Sequence, residues 1–361
     1  MQSYITYRYR LYPNNAQRAA IDDHIAGTRI LYNSILSDKI AQYERTGRNA
    51  SFCPEDYFRA YPFLKQLDPA VLRRVQKDLD AAFKASDYKR AHYPFFRKTK
   101  PRGSYTAIAA TLDGNRLYLP AVGGVKVKFH RPTPQSKLIK TTITRTASGE
   151  YYVSFLYIQT MKRAHSFLPI TEDSTLGLDF SVPKFYVDSN GKSPSYPRFT
   201  EEAQGAIARA SAVLRRRKKG SKRYEKQRRK LARLYQQVKN RRLDWLHKES
   251  RRLAGQYDTI VTETLDIHDI AQRFHLGIRT LDSAYATFQA FLAYKLESQG
   301  KHFYKLNPWT PTSQTCSHCG YRNRDLTLSD RFWKCPKCGK TISRDHNAAV
   351  NIKNRITALH R

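Results

Sequence analysis

Four of the five cysteines in this 361-residue chain fall in two pairs, Cys316-x-x-Cys319 and Cys335-x-x-Cys338, with fifteen residues between them. Each pair is followed by a glycine, Gly320 and Gly339, which lets the backbone curl so that its N–H groups face the sulfurs. Two tight turns that present two thiolates each make a tetrahedral zinc site of the ribbon type. Four thiolates leave no open position, so one zinc ion is expected to hold a fold together and do no chemistry. His318 lies inside the first pair and is not needed as a ligand. Cys53 stands alone and is expected to be a small buried hydrophobe.

The second pair runs at once into "SRDHNAAVN", where Asp345 sits among small residues at the start of an expected helix. Two more acids interrupt apolar, strand-like text: Asp179 in "LGLDFS" and Glu263 in "IVTETL". A buried carboxylate without a partner is costly. Three of them brought together repel one another unless a cation sits among them, and hard oxygen ligands suit Mg²⁺. Two such ions about 4 Å apart would activate water and stabilise the leaving oxygen in phosphodiester hydrolysis. Singly, Asp179 could cap a turn, Glu263 could pair with an arginine and Asp345 could be an N-cap. Their order weighs more: Asp on a first strand, Glu ending a later strand, Asp on the last helix, which is the layout of RNase H-like nucleases. Asp188, Asp266 and Asp269 lie in loop-like text and are expected to be solvated.

Residues 3–12 alternate as a strand, and Asn14 or Asn15 can cap the helix that follows, with Ile21, Ile25, Thr28, Tyr32, Ile35 and Tyr43 at helical spacing. A second helix is expected over 68–90, with Val71, Val75, Leu79, Ala82 and Phe83 on one face. "RLYLP", "GVKVKFH" and "GEYYVSFLYI" read as strands of a small β-barrel or sandwich that the N-terminal strand joins, making the helices an insert. From residue 174 the pattern becomes α/β: strand, turn, strand with a hairpin turn at Ser189-Asn190-Gly191; a helical hairpin over 201–254 broken at Gly220; a strand in "YDTIVTETLDI"; a helix over 280–299; a strand in "GKHFYKLNP"; and a helix over 345–358.

Lys and Arg number 65 against 30 Asp and Glu, a net charge of +35, which is most readily explained by a polyanionic partner. No apolar run approaches a membrane span, and the start "MQSYITYRYRLYP" lacks the core of a signal peptide, so a reducing, cytoplasmic setting near the nucleoid is expected. Residues 209–252 hold 19 Lys or Arg against three acids, densest at Arg215, Arg216, Arg217, Lys218, Lys219, Lys222 and Arg223. Leu231, Leu234, Val238 and Trp245 give that segment a packing face and leave the basic face for a nucleic-acid backbone. "YPFFRKTKPRGSY" mixes rings with Arg97 and Lys98, which suits stacking on bases, with a buried Phe95-Phe96 pair as the alternative. Arg73, Arg74 and Gln76 form a polar helix face able to read a short duplex motif.

These motifs together resemble the TnpB (OrfB) family of insertion-sequence proteins, RNA-guided nucleases related to type V CRISPR effectors. The likeness runs through "YRYRLYPNNAQ", "TRILYN", "GGVKVKFHRP", "GEYYVSFLY", "GLDFSVPKFYVDSNG", "IVTETLDI" and "CPKCGKTISRDHNAAVNI". It implies a wedge β-barrel (1–14 plus 103–172) carrying a helical recognition module (15–102). It also implies a RuvC-like nuclease domain (173–361) with a basic helical insert (201–254) and a zinc ribbon (311–342). Asp179, Glu263 and Asp345 fall on the family's catalytic acids. The resemblance implies a prokaryotic, Mg²⁺-dependent endonuclease that binds a guide RNA and cuts double-stranded target DNA beside a short adjacent motif. Phe180-Ser181-Val182-Pro183, Thr262-Glu263-Thr264 and His346 depart from the family's usual residues. An RNA-guided repressor that does not cut, a guide-free nuclease or transposase, and a non-enzymatic zinc-ribbon DNA-binding protein are the rival readings. Guide, target, adjacent motif and oligomeric state are not written in the chain.

Overall fold

The computed structural model describes residues 2–48, 50–87, 92–160, 167–265, 284–327 and 329–359. The chain forms two compact units, Met1–Arg163 with Lys219–Arg233, and Ala164–Lys218 with Leu234–Arg361.

The first unit is built on an antiparallel sheet of β1 (Gln2–Tyr12), β2 (Gly103–Ala107), β3 (Thr111–Asp113), β4 (Arg116–Leu119), β5 (Gly123–Lys128), β6 (Lys137–Arg145) and β7 (Tyr151–Thr160). Their spatial order is β2-β6-β7-β1-β5-β4-β3. Alternation turns Tyr9 and Leu11 of β1 inward, and they meet Val125, Val127, Val153 and Phe155. Tyr105 of β2 and Leu117 of β4 enter the same core, so the sheet curls around it. It does not close as the expected barrel: among the described residues, the end strands β2 and β3 do not pair. β3 is three residues long and exposed throughout, too short and too polar to seal the gap.

Between β1 and β2 run α1 (Asn15–Thr46) and α2 (Pro69–Asp87). Asn14 caps α1 through a reciprocal pair, its Oδ1 accepting from the Gln17 N–H at 2.9 Å while Gln17 Oε1 accepts from the Asn14 N–H at 3.0 Å. Leu31, Tyr32, Ile35 and Leu36 pack against Leu72, Val75 and Leu79. Tyr43, expected on the packed face, is exposed. Two short 3₁₀ turns, Pro54–Tyr57 and Pro62–Gln66, fill the connection and add Tyr57 and Leu64 to this core. Cys53 is exposed rather than buried. It precedes the first turn, where its N–H donates to Asp56 Oδ2 at 2.8 Å.

The second unit holds β8 (Thr175–Ser181), β9 (Phe185–Asp188), β10 (Thr259–Glu263) and β11 (His302–Leu306) in the order β11-β10-β8-β9. β8, β10 and β11 are parallel, and β9 is an antiparallel edge. The remaining elements are α3 (Phe199–Arg215), α4 (Lys222–Gln256), whose residues from Leu234 on belong to this unit, α5 (Tyr285–Glu297), α6 (Arg344–Thr357) and the hairpin β12 (Phe332–Lys334) and β13 (Thr341–Ser343). Leu176, Leu178 and Ile260 pack under Leu246, Leu253, Phe288 and Leu292 of α4 and α5. Val261 faces the other way, against Ile352 and Ile356 of α6.

The turn at Ser189–Gly191 follows β9 and leads into no further strand, so the hairpin turn lies instead between β8 and β9. Asp188 is buried, not solvated, because its Oδ1 accepts from the N–H groups of Asn190 (3.0 Å) and Lys192 (2.8 Å) and closes that turn. Asp266, Asp269 and the start of the expected 280–299 helix lie outside the described residues. Among the described residues no helix is long and apolar enough to cross a membrane.

Candidate active site

β8 lies inside the sheet and alternates its faces. Leu176, Leu178 and Phe180 face α4 and α5, which leaves Gly177, Asp179 and Ser181 for α6. A Cβ at position 177 would stand 2.1 Å from the Ala349 carbonyl oxygen and 2.7 Å from the Lys353 nitrogen. Only glycine lets the helix lie this close to the strand. Ala349 is one turn beyond Asp345, so the contact at Gly177 sets Asp345 over the stretch that holds Asp179 and Ser181. Ser181 Oγ reaches Asp345 Oδ2 at 3.4 Å.

Glu263 arrives by register. Thr262 pairs with Leu178, and the next step along these parallel strands places Glu263 beside Asp179 at their C-terminal ends. In open parallel sheets that end is where ligands bind. Gln289 of α5 donates from Nε2 to Thr262 Oγ1 and to the Glu263 carbonyl, each at 3.0 Å, and pins the strand as it leaves the sheet. The Thr312 hydroxyl donates to Glu263 Oε1 in a short hydrogen bond. Thus the structure brings together all three acids singled out from the sequence.

The electrostatics are those of crowded carboxylates. Burial holds Asp179 well above the usual carboxylate range, and the charges of Glu263 and Asp345 push it further, against a smaller pull from Arg344. Glu263 is also raised by burial, offset by the Thr312 hydrogen bond and by Arg344. Beneath them Tyr285 is fully buried; its phenol is held up first by burial, then by the charges of Asp179 and Glu263. Arg331 Nη1 stands 3.8 Å from Asp345 Oδ1. A hard divalent cation fits this donor set, because it would turn mutual repulsion into shared attraction.

The four cysteine sulfurs lie within 4.8 Å of one another and could hold a metal ion. Sγ of Cys316 and Cys338 are 3.7 Å apart, and those of Cys319 and Cys335 are 3.5 Å apart. Zn–S bonds of about 2.3 Å at tetrahedral angles need sulfurs ~3.8 Å apart, so the site fits zinc. Burial raises the Cys335 thiol, but N–H groups of Cys338 and Lys337 and the thiols of Cys319 and Cys338 bring it down to about 7, while Cys319, despite the Tyr321 N–H, is held up by burial and by the other three thiols. His318 is turned to Lys340, with Nδ1 and Nζ 3.1 Å apart.

Two asparagines that sequence reading passed over tie this knuckle to the acids. Asn347 accepts from the Ser317 N–H at 2.8 Å and donates to the Thr315 carbonyl at 2.7 Å. Asn351, one turn later, donates to the carbonyls of Thr312 (2.8 Å) and Thr315 (2.6 Å). The segment that positions Thr312 on Glu263 is therefore fastened along α6. Their spacing of four puts them on one helix face, but beside Arg344, Asn354 and Arg355 they read in sequence as part of a solvated surface. His346 makes a plain contact, its Nε2 3.2 Å from the Ser189 carbonyl.

Three family models match the chain. Residues 169–273 match an OrfB model of IS605 type described as "Probable transposase", residues 285–352 a "Cas12f1-like, TNB domain", and residues 1–48 an OrfB "Helix-turn-helix domain". The matched segments are similar to the OrfB (TnpB) and Cas12f1-like families. The N-terminal segment departs from that third description, since residues 2–46 form a strand and one long helix. A Streptomyces pristinaespiralis protein named "Putative RNA-guided DNA endonuclease" is 28% identical over 96% of this chain and 88% of its own length. The Escherichia coli K12 protein InsQ, of the same printed name, is 25% identical over 96% of this chain and 90% of its own. In a solved "Cas12f1-sgRNA-target DNA complex", one chain shares the fold of this protein with a TM-score of 0.58, at 13% identity, covering 98% of this chain and 99% of that one.

The basic residues fall on several surfaces. Arg215, Arg216, Arg217, Lys218, Lys219, Lys222 and Arg223 are all exposed, at and after the break between α3 and α4. In the first unit, Arg74, Arg97 and Lys98 line one cleft of about 550 Å³, together with Arg29, Arg102 and Lys140. Arg97 also stacks over Tyr32, 3.6 Å from the ring centroid. Arg73 lies outside that cleft lining, 3.6 Å from Glu55, and Gln76 is half-exposed. Phe95 and Phe96 are exposed, so the buried-pair alternative falls.

Proposed function

We propose that this chain is an RNA-guided DNA endonuclease whose RuvC-like site is Asp179, Glu263 and Asp345. The observation that carries the reading is the meeting of Asp179 and Glu263 at the C-terminal ends of two adjacent parallel strands with Asp345 of α6, which is in reach of Ser181 on the first of those strands. The relatives' printed names and the chain's net charge of +35 support a nucleic-acid substrate and a guide RNA partner.

Magnesium, held by the three carboxylates, would supply the positive charge that activates water and stabilises the leaving oxygen in phosphodiester hydrolysis. The chain's own residues set the geometry. Gln289 fixes the end of β10, Thr312 orients one oxygen of Glu263, and Gly177 admits α6 so that Asp345 faces the pair. Arg331 and Arg344 bring guanidinium groups to the rim, suited to the phosphate charge that must approach the acids. Zinc on Cys316, Cys319, Cys335 and Cys338 would serve only to hold the knuckle, hence Thr312 and Asp345.

In this reading residues 173–361 are the nuclease domain, with the basic insert at 201–254 and the zinc ribbon at 311–342. Residues 1–14 with 103–172 form the wedge, and 15–102 the recognition module. The test is to express the chain with its native flanking DNA, sequence the RNA that co-purifies, and offer that RNA's complement in duplex DNA with magnesium. A discrete RNA with a variable end, and cleavage abolished by alanine at any of the three acids, is expected. Programmed binding without cleavage would make it a repressor. Cleavage of branched DNA without RNA would make it a guide-free nuclease.

A further inference from the structure

Trp309 is 90% exposed, the most exposed of the large hydrophobic side chains described. A fully exposed indole forgoes a large apolar area that folding normally buries, so the loop that presents it is informative. That loop, between the end of β11 and the first cysteine, is braced on both sides of the ring. Asn307 Oδ1 accepts from the Trp309 N–H and the Asn307 carbonyl from the Thr310 N–H, each at 3.0 Å. Pro308 and Pro311 flank Trp309 in the sequence, Thr315 Oγ1 donates to the Pro311 carbonyl at 2.7 Å, and Asn351 donates to the Thr312 carbonyl. None of these contacts uses the indole.

Thr312, which fixes Glu263, is three residues on, so the Trp309 Cα lies at most about 11 Å of chain from it. A flat exposed ring, four residues after exposed Lys305 and three before the Thr312 of a site with Arg331 and Arg344 near its acids, suits a nucleobase better than a protein, whose interface would need a contiguous apolar patch.

We propose that Trp309 stacks on a base of the single strand that enters the carboxylate site, within a nucleotide or two of the phosphate to be cut. The inference rests on the nuclease reading above. Stacking uses the π-face common to all bases, so it grips the strand without selecting sequence, which a guide-directed cut requires.

The test uses the full chain with its co-purifying RNA, as wild type, Trp309→Ala and Trp309→Phe. Single-stranded oligonucleotides carry 2-aminopurine at successive positions around the cut. Wild type and Trp309→Phe should quench the probe at one or two adjacent positions. Trp309→Ala should lose that quench and bind the strand about 5- to 100-fold more weakly. If Trp309→Ala quenches, binds and cuts like wild type, stacking is overturned and the nuclease reading stands. If the quench depends on Trp309 but wild type cuts nothing with magnesium, stacking stands and the nuclease reading falls. If wild type neither binds nor cuts the strand, both fall.

Discussion

A methyl group on residue 177 would land on a backbone carbonyl, and this is where the site is most sensitive to a single atom. Gly177→Ala cannot be absorbed by rotating a side chain, because the obstructing atoms are the Ala349 oxygen and the Lys353 nitrogen. It should cost about 1–3 kcal/mol or more, as overpacking does, and move Asp345 away from Asp179. Gly205→Ala in α3 is the control: its Cβ would meet only the Arg209 Nη1 at 3.5 Å, so it should be neutral or slightly stabilising. Urea denaturation of both variants checks the pair. The raised Asp179 gives a second expectation. A carboxyl that binds its proton more tightly in the folded chain contributes stability that is fully present below its unfolded pKa, near ~3.9, and is lost as pH rises through the higher folded value. Asp179→Asn should therefore raise Tm at neutral pH in magnesium-free, zinc-loaded protein, and the advantage should shrink as pH falls toward the ordinary carboxylate range. Equal melting at all pH values would mean that the three acids do not burden one another. The acids and cysteines were legible in the sequence because their types are costly or unusual in apolar text. Thr312, Gln289 and the asparagines were not, since neutral polar side chains on loops and helices read as surface until the fold aims them.

At the scale of elements, the knuckle and α6 act as one piece. Asn347 is almost fully buried, and its side chain satisfies backbone groups at Ser317 and Thr315. Removing it strands those groups, at about 1–3 kcal/mol for each one left buried without a partner. Asn347→Ala should thus lower stability and cleavage while zinc stays at one per chain, whereas Cys335→Ser should lose the zinc as well. Metal content measured beside the melting curve separates the two; loss of zinc from Asn347→Ala would mean that the helix contact builds the knuckle rather than positions it. Periodicity exposed most elements, including both helices of the first unit and the strands that carry Asp179 and Glu263. It failed where local text is ambiguous. Ser189-Asn190-Gly191 has turn chemistry but no partner strand beyond it, and closure of the first sheet depends on β3, a three-residue strand whose weakness no alternation pattern reveals.

For the whole molecule, a net charge of +35 sets two salt dependences of opposite sign. In RNA-free protein, like charges on one chain repel, and screening should relieve them as the Debye length falls from about 10 Å at 0.1 M to ~3 Å at 1 M. Its Tm should rise with sodium chloride. RNA binding should instead weaken, because each neutralised phosphate releases a counterion, with a log–log slope of about −0.7 per contact on a single strand. Replacing the exposed Arg215, Arg216, Arg217, Lys218, Lys219, Lys222 and Arg223 with glutamine should flatten that slope by several such contacts and leave sequence preference unchanged, since backbone contacts carry no base information. Filter binding across a salt series, with differential scanning fluorimetry on the same RNA-free samples, measures both. If Tm falls with salt in the RNA-free chain, its ion pairs, such as Arg10–Glu150 and Arg145–Asp22, outweigh the surplus. The charge would then be internally balanced in effect, and a polyanion would no longer be required to account for it.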